Sequence, residues 1–318
     1  MTTTPSPFSP LPPGAIVSPT TPHTADGQPD LEADPVPYLV KRTLAELGDV
    51  LPHGRLEDYP GRTAFRFMPP VLGVRRRQGQ VKANTKLQRS PARMLAAYLG
   101  AALDTLGTDS CRAWTDDQAI ERLGKLPVGD VLYLSMRWQA LCYPDGAPLG
   151  DRQCGACGAP FGNVKVDLGT LEIDCLPDEA RELRPVARVC LLHGFELGSP
   201  DKRRAVAQVL VRPPSFGDVF YGLAPESMRN DELVGERLLR GAILGSDALG
   251  PDRGLPDGAL DDLWPQDQRL IGRALELITP SPDLEIEIAC PVDRCRATNS
   301  EVIDWTAVGF SSGRPGGR

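Results

Sequence analysis

The chain has 318 residues, enough for about two domains of ~150 residues each, and 41% of its residues are hydrophobic. Its 35 Lys and Arg against 42 Asp and Glu give a net charge of −7, which argues against a general nucleic-acid coat protein. No run of ~18 apolar residues and no basic, apolar secretion signal is present, so we expect a cytoplasmic chain with reduced cysteines and no membrane span.

The two ends of the chain have the composition of disordered segments. Residues 1–37 contain ten prolines with Thr, Ser and Asp between them, and such a segment cannot bury a core. The last residues, 311–318, read SSGRPGGR and also have a composition typical of disordered segments. We therefore predict a disordered Pro-rich tail over 1–37, a second disordered tail over 311–318, and a folded part over 38–310.

Apolar periodicity and capping residues predict the elements of the folded part. In chain order, the predicted helices are 38–47, 94–106, 115–123, 130–141, 231–244 and 266–278. The predicted strands are 164–168, 186–192, 205–211 and 284–288. Ser90 and Pro91 are typical of a helix start, and Gly107 is typical of a helix end. The Gly-Ser-Pro-Asp sequence before 205–211 predicts a β-hairpin with the strand that precedes it.

Self-similarity is the most informative pattern in this sequence. Residues 65–73 read FRFMPPVLG and residues 209–217 read VLVRPPSFG. Each is an apolar strand followed by Pro-Pro and a glycine, and an apolar helix follows each of them. The motif KLPVGD at 125–130 then corresponds to LWPQD at 263–267, and each leads into another apolar helix.

The later landmarks recur at similar distances. Pro127 lies 27 residues before Cys154, and Pro265 lies 25 residues before Cys290. A strand with a central aspartate follows each cysteine pair. We predict a duplicated module of about 100 residues, and the alternative is a coincidence in a proline-rich chain.

Four of the eight cysteines have the spacing of metal ligands. Cys154 and Cys157 are separated by two residues and followed by glycine, and Cys290 and Cys295 are separated by four residues. Both spacings occur in structural zinc sites, and four soft thiolates suit one tetrahedral Zn²⁺. The alternatives are two metal-free thiol pairs or a redox motif at Cys154 and Cys157. A redox motif opens a helix after a strand, whereas a strand pattern follows here.

The residues that serve in catalysis elsewhere form no recognisable constellation in this sequence. The other cysteines are scattered and are predicted to be structural thiols; they are Cys111, Cys142, Cys175 and Cys190. Only three histidines are present, which argues against histidine-based acid–base catalysis. Nucleotide-binding glycine motifs and a nucleophile elbow are lacking. We therefore expect a protein that is not an enzyme.

Positive charge is concentrated in one segment. Nine basic residues and no acidic residue lie between Tyr59 and Leu103, which leaves the rest of the chain at −16. We predict a flexible basic loop over 75–89 that binds an acidic protein surface. The predicted partner-binding residues are Arg75, Arg76, Arg77, Lys82 and Lys86. A merely solvated loop and a nucleic-acid-binding segment are the alternatives.

The stretch LPVGDVLYLSMRWQAL at 126–141, followed by CGACG at 154–158, resembles the zinc-knuckle tail and baseplate assembly proteins of contractile bacteriophage tails and related injection systems. Members of that family also carry a strand with an aspartate, an Arg-Pro-Pro segment, further helices and a second cysteine pair. Here the Arg-Pro-Pro segment begins at Arg212. The resemblance covers about 65–310, and the second pair is wider than is usual for members.

The resemblance implies a role in building a baseplate, with other baseplate or tail subunits as partners and no catalysis. We therefore expect an α+β fold of two related helix-rich modules, 38–180 and 181–310, with β-hairpins and a shared four-cysteine zinc ribbon. The predicted function is a structural or assembly protein of a contractile injection system, made in the cytoplasm and incorporated into a particle. The alternatives are a zinc-ribbon nucleic-acid adaptor using segment 62–93 and a thiol-redox protein.

Overall fold

Helices and short antiparallel strands alternate along the chain, so the protein has the α+β fold that the sequence predicts. The computed structural model describes residues 8, 10–19, 21, 29, 39–53, 63–148, 153–160, 165–177, 185–198, 203–251, 253–256 and 258–303. Within these residues, the helices are α1 (Leu44–Leu47), α2 (Leu72–Ala83), α3 (Pro91–Gly100), α4 (Asp116–Gly124), α5 (Val128–Cys142), α6 (Phe216–Phe220), α7 (Asp231–Ala242) and α8 (Pro265–Ile278). None of these helices has the length and apolar composition of a membrane span.

The strands of the described residues are all short except two. They are β1 (Ile16–Val17), β2 (Val40–Thr43), β3 (Phe65–Phe67), β4 (Leu103–Leu106), β5 (Asp109–Ser110), β6 (Ala147–Pro148), β7 (Lys165–Val166), β8 (Glu172–Cys175), β9 (Ala187–Leu197), β10 (Arg204–Val211), β11 (Ile243–Ser246), β12 (Ser281–Pro282), β13 (Glu285–Ala289) and β14 (Thr298–Val302). The largest sheet has the order β1-β9-β10-β11, and two three-stranded sheets have the orders β12-β8-β2 and β3-β4-β5. The pairs β6-β7 and β13-β14 are separate hairpins.

Within the described residues, two large hydrophobic cores and a small cluster at Cys154 and Ile288 hold these elements together. The first surrounds α5, where Tyr133, Trp138 and most of their neighbours are buried on every side of the helix. The second lies between the β9–β10 hairpin and α8, whose apolar stripe includes Ile271 and Ile278. The cores do not follow the predicted boundary at residue 180, because Phe216 of α6 belongs to the first core. The division into 38–180 and 181–310 therefore remains a prediction.

Several predicted elements are confirmed with their physical causes. Thr115 and Gln118 form a capping box at the start of α4. Pro91 occupies the first position of α3, where it has no amide hydrogen to leave unpaired. The hairpin β9–β10 pairs antiparallel as expected, with a bulge between Val206 and Gln208.

Two helix predictions were too long, and for the same reason. The helix predicted over 94–106 ends at Gly100 and is followed by β4, and the helix predicted over 231–244 ends at Ala242 and is followed by β11. In both places the last apolar residues pair with an earlier strand, β3 or β10, instead of prolonging the helix. Gly107, the predicted helix end, instead forms the turn from β4 to β5 with φ +57°.

The N-terminal part of the chain also departs from prediction. The helix predicted over 38–47 is the strand β2 followed by the single turn α1. Within the tail predicted to be disordered, Ile16 and Val17 pair with β9, and the amide of Gly14 donates to the carbonyl oxygen of Cys190 at 2.9 Å. An exposed sheet edge recruits this segment because its backbone groups need partners. The tail 311–318 lies outside the described residues.

Two parts of the chain, 65–106 and 209–246, share one order of elements: strand, Pro-Pro, helix, 3₁₀ turn, helix, strand. The closing strand pairs with the opening strand in both. Phe67 faces Leu103 and Val211 faces Ile243, and in each opening strand a bulge lies directly before this residue. The residue after each opening strand donates its amide to the carbonyl oxygen of the residue directly before the closing strand, at 2.8 and 2.9 Å.

The next helices, α5 and α8, begin alike. Their N-cap residues are Pro127 and Trp264, and the third helical residue of each is a fully buried aspartate. Asp130 accepts a hydrogen bond from the amide of His53, and Asp267 accepts three from consecutive amides of β9 at 2.6–3.2 Å. In this correspondence Pro127 aligns with Trp264. The alignment of the two sequence motifs, which matched Pro127 with Pro265, is therefore shifted by one residue.

Candidate metal centre

The first cysteine pair lies in a tight turn between β6 and β7. The amide of Cys154 donates to the carbonyl oxygen of Ala159, and the amide of Gly158 donates to the carbonyl oxygen of Cys154, each at 2.8 Å. Gly158 has φ +71°, a conformation that a residue without a side chain adopts at little cost. The glycine after the second cysteine therefore allows the turn to bring both sulfurs to one side.

The second cysteine pair lies in the turn between β13 and β14. The amide of Cys290 donates to the carbonyl oxygen of Ala297 at 2.8 Å, as the amide of Cys154 does in the first turn. In both turns the acceptor is the second residue after the second cysteine. The two extra residues of this turn are accommodated by a hydrogen bond from the amide of Cys295 to the carbonyl oxygen of Val292 and by Arg296 at φ +50°.

The structure brings all four predicted ligands together. The Sγ atoms of Cys154 and Cys295 are 3.8 Å apart, those of Cys157 and Cys290 are 3.7 Å apart, and all four lie within 4.8 Å of one another. Tetrahedral bonds of ~2.3 Å to one ion place sulfurs about 3.8 Å apart. A disulfide needs sulfurs at about 2.05 Å, so the pairs are free thiols arranged as metal ligands.

Asn299, on β14, joins the two turns. Its Oδ1 accepts a hydrogen bond from the amide of Gly155 at 2.9 Å, and its Nδ2 donates to the sulfur of Cys154 at 3.6 Å. The side chain therefore holds the first turn against the second hairpin. The sequence does not predict this role, because asparagine two residues beyond a cysteine turn carries no signal of its own.

Hydrogen bonds, desolvation and the neighbouring sulfurs give the thiols of Cys154 and Cys290 different pKa values. Amides of Cys157 and Ala156 donate to the sulfur of Cys154 and lower the pKa of this thiol to about 6. The amide of Val292 lowers the pKa of Cys290, but desolvation and the neighbouring sulfurs outweigh it and raise that pKa to about 12. Neighbouring thiolates repel one another, so a bound cation is what allows all four to lose their protons.

This donor set fits zinc chemistry. Four thiolates in a tetrahedron close the coordination shell, which is the arrangement of structural rather than catalytic zinc sites. Cys154 is buried and Cys157 is exposed, so the site lies at the protein surface with one side open to solvent. The four residues can hold a metal ion and leave no ligand position for a substrate.

The basic segment is a helix, not the flexible loop that the sequence predicts. Its core is α2, which packs Val74, Gln78 and Val81 against the protein. Exposed glycines and arginines between these three positions hid the helical pattern, because the apolar stripe is only one residue wide. The regular backbone of α2 and the 3₁₀ turn at 87–89 leave little of the segment as loop.

The five predicted partner-binding residues divide into two groups. Arg77 donates to the carbonyl oxygens of Arg112 and Trp114, and the ammonium of Lys82 lies over the ring of Tyr98. Both are therefore directed at the protein itself. The remaining three, which are exposed, are Arg75, Arg76 and Lys86.

The remaining thiols do not approach the metal-type cluster. Cys111, Cys175 and Cys190 are buried and Cys142 is half-buried, which fits the structural role predicted for them. Burial raises the pKa of Cys111 to about 12, so its thiol stays protonated.

Comparisons with protein-family models, with curated proteins and with solved structures find no match to this chain.

Proposed function

We propose that the protein is a non-catalytic structural or assembly subunit whose fold is stabilised by one Zn²⁺ bound to Cys154, Cys157, Cys290 and Cys295. The close grouping of the four sulfurs, all within 4.8 Å of one another, carries this proposal. The paired sulfurs come from residues 133 and 141 positions apart in the sequence, so an ion bound there joins two distant parts of the chain. An ion in that place strengthens architecture and has no open position for chemistry.

Internal duplication is the second part of the proposal. The matching bulges of the β3–β4 and β10–β11 pairs, the buried aspartates at the third positions of α5 and α8, and the matching turn hydrogen bonds support it. In this view the two cysteine turns are copies of one motif that meet at the metal. The first and second modules contribute two thiolates each.

The biological setting that we propose is a contractile injection system or phage-tail-like baseplate. The resemblance of 126–141 and 154–158 to zinc-knuckle baseplate assembly proteins supports this setting. In this proposal the exposed residues Arg75, Arg76 and Lys86 contact an acidic surface of another baseplate or tail subunit. Such a contact weakens with salt, because the Debye length falls from about 10 Å at 0.1 M to about 3 Å at 1 M.

A co-expression experiment tests the setting. Sheath, tube and spike proteins encoded beside this gene are co-expressed with it, and particles are purified and examined by electron microscopy. We expect Arg75→Glu/Arg76→Glu to impair assembly, and we expect Lys165→Glu, an exposed reversal elsewhere, to assemble normally. Arg77 is left intact because its reversal disrupts the contact with residues 112–114. Normal assembly of the double variant, or the absence of such neighbouring genes, contradicts this part of the proposal.

A nucleic-acid-binding adaptor is the competing function, and the exposed arginines of α2 favour it. It predicts that purified protein retains DNA or RNA, that nuclease removes it, and that Arg75→Glu/Arg76→Glu abolishes retention. The zinc proposal makes no such prediction. Nuclease-sensitive retention by the unchanged protein therefore distinguishes the two functions.

A further inference from the structure

The most exposed large apolar side chains in the described part of the chain lie at two places. Leu72 and Val71 are 73% and 57% exposed at the start of α2, and Trp264 is 53% exposed at the start of α8. Apolar groups left in water at this level indicate a binding surface when they lie together. These two places correspond to the two sides of a contact that the chain already makes within itself.

That internal contact joins residues 214–216 to residues 126–128. We call residues 214–216, which lead into α6, the second docking loop, and residues 126–128, which lead into α5, the first corner. The amide of Phe216 donates to the carbonyl oxygen of Leu126 at 2.8 Å, and the amide of Val128 donates to the carbonyl oxygen of Pro214 at 3.1 Å. Phe216 is fully buried. Just beyond it, Gly217 approaches Gly124 so closely that an added Cβ would lie 3.0 Å from the Gly124 carbonyl oxygen.

Each side of this contact has a counterpart. Residues 70–72, the first docking loop, follow β3 as the second docking loop follows β10, and Leu72 takes the place of Phe216. Residues 263–265, the second corner, precede α8 as the first corner precedes α5, and Trp264 takes the place of Pro127. At the second corner, the ring of Trp264 packs beside that of His193, and the carbonyl oxygen of Leu263 accepts a hydrogen bond from Nε2 of Gln268 at 3.2 Å. Gly73, the counterpart of Gly217, has nothing within 4 Å of an added Cβ.

We propose that the first docking loop of one chain binds the second corner of another copy of the same chain. This contact between chains has the same arrangement as the contact between the second docking loop and the first corner within one chain. It is a head-to-tail contact, because each copy offers one docking loop and one corner at different places. Successive copies therefore build a ring or a filament.

The charges beside the two surfaces are complementary. Exposed Arg75 and Arg76 follow Leu72 on α2, whereas exposed Asp261 and Asp262 precede Trp264. Opposite charges of this kind increase the association rate and disfavour wrong pairings. Pro265 has no amide hydrogen, so the repeated contact forms at most one backbone hydrogen bond where the internal contact forms two, and its acceptor, the Leu263 carbonyl oxygen, is shared with the side chain of Gln268. The contact between chains is therefore weaker than the internal one and is reversible.

The inference goes beyond the proposed function and is tested independently of the metal. Zinc-loaded full-length protein is examined by analytical ultracentrifugation from micromolar to millimolar concentration. We expect concentration-dependent association beyond the dimer, and we expect Leu72→Asp or Trp264→Asp to weaken it by at least ~10-fold. Aspartate is a good N-cap, so the second variant retains the start of α8. Leu141→Asp, at the far end of α5, removes an exposed leucine as a matched control and should associate like the unchanged protein.

Mixing the two variants gives the decisive result. Leu72→Asp retains a functional corner and Trp264→Asp retains a functional docking loop, so an equimolar mixture should form a one-to-one heterodimer and nothing larger. A two-fold symmetric interface instead predicts that association of the unchanged protein stops at the dimer. A monomeric unchanged protein at every concentration, equal association of the variants and the control, or no heterodimer in the mixture overturns the proposal. Zinc content, measured on the same samples, reports separately on the proposed metal site.

Discussion

Removal of the metal should destabilise the whole chain by an amount set by the sequence distance that the site spans. Cys157 and Cys290, whose sulfurs are 3.7 Å apart, are separated by 133 residues. A cross-link closing a loop of this length restricts the unfolded chain by about 5 kcal/mol. Mass action gives a similar value, since zinc at 1,000 times its dissociation constant stabilises the folded state by about 4 kcal/mol.

We therefore expect a chelator to lower the free energy of unfolding by about 4–5 kcal/mol, and the melting temperature by about 6–9 °C. Urea and thermal unfolding with and without chelator measure the loss, and elemental analysis measures zinc per chain. Cys154→Ser should show the same loss without chelator, and chelator should add little to it. Cobalt(II) in place of zinc should give the visible absorption of a tetrahedral thiolate site.

Cys142→Ser is the matched control, because Cys142 is a free thiol outside the cluster. It should bind one zinc per chain and unfold within about 1 kcal/mol of the unchanged protein. Two results refute the reasoning. One is folded protein that contains no zinc and does not respond to chelator, and the other is a full equivalent of zinc retained by Cys154→Ser.

Three further predictions concern the fold. Asp267→Ala leaves three strand amides without their acceptor and should cost about 3 kcal/mol or more in urea unfolding. Hydrogen bonds from Arg112 and Arg66 lower the pKa of the Asp104 carboxyl group. The ionised carboxylate therefore stabilises the folded state above the unfolded pKa of ~3.9, and this stabilisation is lost as pH falls through the lower pKa of the folded state. Asp104→Asn should therefore lower the melting temperature at pH 7, and the difference from the unchanged protein should vanish in strong acid. Gly129→Ala places a Cβ 1.8 Å from the carbonyl oxygen of Pro280 and should cost at least about 1–3 kcal/mol, measured by thermal melting.

Local patterns in the sequence were sufficient to predict the four cysteines of the cluster and much of the secondary structure. The spacing of Cys154, Cys157, Cys290 and Cys295 identified the four sulfurs that the structure brings together, because the reach of a short turn depends on nearby residues only. Helices α4, α5 and α8 were predicted for a similar reason, since capping and apolar periodicity act within a few turns.

Tertiary contacts decided the rest. Leu103 and Leu106 continue a helical apolar pattern, yet residues 103–106 form a strand because β3 lies beside them and offers unpaired backbone groups. The same competition explains β11, and it explains why Ile16 and Val17 join β9. Asn299 and Asp267 gained their roles only when distant parts of the chain met, because their hydrogen-bond partners lie 144 and 73–75 residues away. Sequence alone determined which side chains can bind a metal, whereas folding determined which amides and strands surround them.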